Sequence, residues 1–145
     1  MKAWGRVISF KTEQFEFKSN LPDEYNAGNR FYGRDAAEYF AEKLSAGGFA
    51  AECLDEDWGW LILGQAAPAT HFEIAVYNVN EHGEGGRPGA PEWGLWLRAF
   101  QRKRLLGFLP KKRIVAVPTA VETVVTAAIE QLGAVPQDWL DCPVR

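Results

Sequence analysis

The stretch Phe49-Ala50-Ala51-Glu52-Cys53-Leu54-Asp55-Glu56-Asp57-Trp58-Gly59-Trp60-Leu61-Ile62-Leu63 carries the strongest strand signal in the chain. Two apolar runs, 49–54 and 58–63, flank the short acidic stretch Asp55-Glu56-Asp57, and that order predicts a β-hairpin. Immediately upstream the apolar period lengthens from two residues to 3.6. Ala37, Phe40, Ala41 and Leu44 share one face, Asp35 and Glu38 stand near the start, and Gly47-Gly48 supplies a stop, so a helix is predicted over 34–46. Downstream, Phe72, Ile74 and Val76 alternate with Glu73, Ala75 and Tyr77, the signature of a half-buried strand.

Phe15 and Phe17 alternate with Glu16 and Lys18 and read as another strand, and 93–100 and 114–117 supply two more. A second helix is predicted over 120–132, where Val121, Val124, Val125, Ala128, Ile129 and Leu132 form one stripe. Thr119 followed by Glu122 has the pattern of a capping box, and Gly133 and Pro136 close the segment. Strands placed between two helices predict an α+β fold, an antiparallel or mixed sheet with both helices packed on one face as a two-layer sandwich. A doubly wound fold needs more helices than these.

At 145 residues the chain has the size of one domain, 1–145. Hydrophobic residues at 47% and charged residues at 24% exclude disordered, collagen-like and coiled-coil classes. Two cysteines, Cys53 and Cys142, are too few for a disulfide scaffold, no apolar run reaches membrane-spanning length, and Met1 to Arg6 lacks a signal core. The expectation is a soluble cytoplasmic protein with free thiols and no membrane partner.

The net charge of -3 conceals a separation. Arg98, Arg102, Lys103, Arg104, Lys111, Lys112 and Arg113 form a basic patch with no acid between them, leaving nine basic residues against nineteen acidic ones elsewhere. Such a dipole predicts either self-association as a homodimer or the steering of a charged partner. Nucleic acid binding through 98–113 is the sharper reading of the patch, but the sequence pI of 5.4 sets it behind a protein partner.

Few groups suit catalysis. His71 and His82 are the only imidazoles, no serine sits in a nucleophile elbow, and Cys53 falls on a predicted strand as a small buried residue. The histidines and cysteines lack metal-ligand spacing, so no metal is expected, and Gly83 to Gly89 matches no phosphate-binding fingerprint, so no cofactor is expected. The glycine- and proline-rich stretch 80–92 reads as a long excursion between strands. Its alternative use is a cleft of a small enzyme or ligand-binding domain, with His71, His82 and Arg87 as the polar groups.

The aromatic residues carry the remaining signal. Trp58 and Trp60 share a strand face, and Trp96 and Phe100 lie on the face opposite Trp93, Leu95 and Leu97. That last strand is bulky on both sides. Either both sides are covered, or one presents an aromatic patch of the kind that marks an interface.

Gly33-Arg34-Asp35-Ala36-Ala37-Glu38-Tyr39-Phe40, then Leu44, Gly48-Phe49 and Asp57-Trp58-Gly59-Trp60, together resemble a pattern met in small uncharacterised bacterial proteins. The likeness spans 31–63, under a quarter of the chain, and implies a bacterial α+β domain without transferring any catalytic residue. In size and acidity such proteins are similar to the immunity proteins that neutralise secreted bacterial toxins. The expected function is therefore non-enzymatic protein binding through Glu52, Asp55, Glu56, Asp57, Trp58 and Trp60.

Overall fold

The computed structural model describes residues 5–15, 33–56, 59–78, 91–105 and 109–143. In chain order the elements are β1 (Gly5–Lys11), α1 (Arg34–Ala46), β2 (Ala50–Glu56), β3 (Gly59–Ala67), β4 (Thr70–Asn78), β5 (Glu92–Leu105), β6 (Leu109–Val115), α2 (Thr119–Gln131) and β7 (Leu140–Cys142). The seven strands make one open sheet in the order β2-β3-β4-β5-β1-β7, and β6 pairs with the far half of β5. Every pairing is antiparallel, which settles the antiparallel alternative for the sheet and makes the fold α+β.

One face of the sheet carries the core. Ile8 and Phe10 on β1, Ile62 on β3, Phe72, Ile74 and Val76 on β4, and Trp93, Leu95, Leu97 and Ala99 on β5 are nearly or fully buried. These residues follow the two-residue period of each strand, so a single alternation commits all of them to the same side. Both helices lie on that side. Phe40 of α1 meets the Phe10 ring edge-on at 5.6 Å, Arg6 of β1 pairs with Glu122 of α2 at 2.9 Å, and the Tyr39 hydroxyl donates to the Ala128 carbonyl at 2.6 Å. Gly33 begins α1 with φ of 125°, where any side chain is strained, and a Cβ there would stand 3.3 Å from the Trp93 ring.

Of the strand expected at Phe15 and Phe17 only Phe15 is described, in the bend 13–15, where its buried ring packs 5.7 Å from Trp93; residues 16–18 lie outside the described residues, and β1 precedes them. Two expectations need correction. Thr119 does not cap α2, because the N-cap is Pro118 and no side chain bonds there; Thr119 is the first helical residue. Asp55 and Glu56 are not in a turn but end strand β2, where Glu56 pairs with Gly59. Among the described residues no helix is long and apolar enough to cross a membrane.

Candidate functional site

Among the described residues the second face of the sheet has no helix on it, and the register decides which of its residues become neighbours. Leu54 pairs with Leu61, Leu61 with Ala75, Ala75 with Trp96, Trp96 with Val7, and Val7 with Leu140. Directly opposed residues of an antiparallel pair share a face, so these six side chains form one apolar row running across β2, β3, β4, β5, β1 and β7. At the usual strand spacing the row is about 24 Å long. Leu54 and Trp96 are each 37% exposed and Leu140 is 63% exposed, whereas Trp93, one face away, is fully buried.

Glycines let the aromatic rings lie along this face. Tyr77 pairs with Gly94 and its ring lies over that residue, where a Cβ would collide with it. A Cβ on Gly5 would likewise meet the indole nitrogen of Trp96 and the Cys142 sulfur. Burial raises the Cys142 thiol above its ordinary range, and the hydrogen bond from the Trp96 indole partly offsets that rise. Tyr77 is likewise held un-ionised to higher pH, first by burial and then by the neighbouring acidic groups Cys142 and Glu92.

Charged residues frame the apolar row. One residue pair further along the strands lies the row Glu52, Leu63, Glu73, Arg98, and on the other side Glu56 flanks Tyr77. Arg98 Nε donates to Glu73 Oε2 at 2.5 Å, and Lys112 Nζ stands 3.7 Å from Glu73 Oε1. Together Leu61, Ala75, Tyr77 and Trp96, bounded by Glu56, Glu73 and Arg98, enclose an open trough of about 690 Å³. An apolar floor with charges of both signs at its rim is the usual composition of a protein-recognition surface.

The residues expected to bind a partner divide among these surroundings. Glu52 and Glu56 belong to the uncovered face, Glu52 exposed and Glu56 lining the trough. Asp55 is exposed but opposes Trp60 in the register, and so takes the helix side of β2. Trp60 is 7% exposed and belongs to the core, so it offers no surface to a partner. Asp57 and Trp58 lie outside the described residues. The apolar row is what sequence reasoning missed; alternation assigns Trp96 to one face, but only the register aligns it with Leu54, Leu61 and Val7.

The basic patch falls on β5 and β6. Arg102 opposes Lys112 and Lys103 opposes Lys111, with Arg104 opposite Pro110 and Gln101 opposite Arg113. Lys112 Nζ sits 4.0 Å from the centre of the Phe100 ring, whose other neighbours include His71, stacked at 5.6 Å.

The chemistry-bearing groups are dispersed. His71 is near the start of β4, about 24 Å along the strand from Asn78 at its other end; of the stretch 80–92, residues 80–90 lie outside the described residues and Glu92 begins β5. His82 and Arg87 lie outside the described residues. Cys53 opposes Ile62 on the helix side, across the sheet from His71, so the two cannot form a nucleophile–base pair. Burial, then the negative charge of Glu38, lifts the Cys53 thiol to about 11, which removes its nucleophilic form at neutral pH. Among the described residues no group of three or more histidine, cysteine or acidic side chains could hold a metal ion. No family model matches the chain, and no curated protein or solved structure matches it.

Proposed function

We propose that the protein is a non-enzymatic binding protein that holds a partner protein on the uncovered face of its sheet. One observation carries this: the apolar row from Leu54 to Leu140, in which three of the largest exposed hydrophobic side chains stand in a single line. Scattered surface hydrophobics are ordinary, whereas a contiguous band rimmed by charge is the arrangement that association covers. Trp96 beside Arg98 supplies the residue types that dominate binding energy at interfaces. Glu52 and Glu56 at the β2 edge favour a partner with basic residues there. The likeness in size and acidity to toxin-immunity proteins makes a bacterial toxin domain the first partner to test, in a reducing cytoplasm where both thiols stay free.

Site-specific photo-crosslinking in the producing cell tests this. A benzophenone amino acid at position 96 or 54 should join the chain to a protein, and the same group at Thr123, on the outer side of α2, should not. The mass of the adduct separates a second copy of the chain from a different partner. Adducts at none of these positions, or equally at all three, would overturn the proposal.

A further inference from the structure

The pairing at the far end of β5 shows a projecting element. β4 pairs with β5 only as far as Gln101, and β1 only as far as Leu97. Among the described residues the sole partner of β5 from Arg102 to Leu105 is β6, over Leu109 to Lys112, and β6 has no strand on its other side. Four residue pairs thus extend past the sheet as a two-stranded ribbon. Five of those eight residues are basic (Arg102, Lys103, Arg104, Lys111 and Lys112), and none is acidic.

Two consecutive cross-strand pairs, Arg102 with Lys112 and Lys103 with Lys111, are of like charge. Like charges directly opposite weaken a sheet, and past Gln101 no further strand among the described residues supports the pair. Among the described side chains the carboxylate paired with this segment is Glu73, which is shared between Arg98 and Lys112. The acids of β2 lie three strands from β5, about 14 Å across the sheet. The low pI that weighed against nucleic acid is therefore an average over two separated regions.

We infer that the β5–β6 ribbon binds the phosphodiester backbone of a nucleic acid. The dimensions and the charge agree on this ligand. The major groove of duplex DNA is about 12 Å wide and admits a two-stranded ribbon, and the exposed Arg102 and Lys112, one on each strand, supply cations for the phosphates that line it. Arg102 and Arg113 are exposed at the root of the ribbon, and the Phe100 ring beneath Lys112 fixes that end of β6 against β5. This site is separate from the apolar row, and either one can fail without the other.

Fluorescence anisotropy with the full chain tests the inference, using a 20-base-pair DNA duplex, an RNA duplex of the same sequence and poly-L-glutamate as probes. At least one duplex should bind at 50 mM salt, with log affinity falling linearly against log salt by about 0.9 for each DNA phosphate neutralised and somewhat less for other backbones. The two duplex arms show which nucleic acid supplies the phosphates. Arg102→Gln with Arg113→Gln should make that slope shallower by up to about two phosphate contacts, and Glu52→Gln, at the opposite edge, should leave it unchanged. If the double variant does not fold, Lys103→Gln with Lys111→Gln asks the same question. The inference is overturned by absence of duplex binding at 50 mM salt, by a slope unchanged in the folded variants, or by poly-L-glutamate binding as tightly as the duplexes.

Discussion

Cys53 and the tryptophans show how one residue's environment fixes what it does. The Cys53 thiol ionises near 9.0 in the unfolded chain, and in the folded chain, through burial, only near 11. Between those values the unfolded state holds fewer protons, so the stability contributed by this group is complete below pH 9 and is lost as pH rises through 11. Urea midpoints at pH 8 and pH 10.5 should therefore differ, and Cys53→Ala should shrink the difference. Cys142, Tyr39 and Tyr77, all shifted in the same direction chiefly by burial, leave the remainder. A difference unaffected by the substitution would place the titration elsewhere. Trp60 and Trp96 separate by function in a second comparison. Trp60→Ala opens a cavity in the core and should cost about 3–5 kcal/mol, while Trp96→Ala removes a half-exposed ring and should cost about 1 kcal/mol. Thermal melting distinguishes the two, and equal losses would mean that Trp96 is a core residue.

At the scale of elements, α2 and the β5–β6 ribbon make opposite predictions. Val125 is fully buried on the inner side of α2, so Val125→Asp places an uncompensated charge in the core and should cost about 4 kcal/mol or more. Thr119→Ala should change stability by less than roughly 0.5 kcal/mol, since Pro118 caps the helix without a side-chain bond. Lys103→Glu turns a like-charged pair with Lys111 into an attractive one and should raise stability by roughly 0.2–1 kcal/mol. Guanidinium unfolding of the three variants checks all of these. The helices were legible in the sequence to within a residue at each end, because thirteen consecutive positions sample the 3.6-residue period several times. The short strands were not. β7 has three residues and one large apolar side chain, too few to show any period, and Val7 breaks the alternation of Ile8 and Phe10 that would have marked β1.

At the scale of the molecule, both helices of the described residues pack on one side of a seven-stranded sheet, and the other side is left to be explained. Alternation along each strand shows which residues share a face, but which face the helices choose, and which residues align across six strands, depends on pairings distant in sequence. That is why Trp60 reads in the sequence as surface and stands in the core, while the row through Leu54, Trp96 and Leu140 emerges only from the register. Polarity separates on the same scale, with Glu52 and Glu56 at the β2 edge and the basic ribbon beyond Gln101. Hydroxyl-radical footprinting, read residue by residue on the isolated chain and again on its complex with the crosslinked partner, shows whether this face is the binding surface. Trp96, Leu54 and Leu140 should be oxidised in the isolated chain and protected in the complex, with Trp93 and Trp60 protected throughout and the outer side of α2 unchanged. Protection of Trp96 in the isolated chain to the level of Trp93, or oxidation of Trp96 undiminished in the complex, would contradict the assignment of this face as the binding surface.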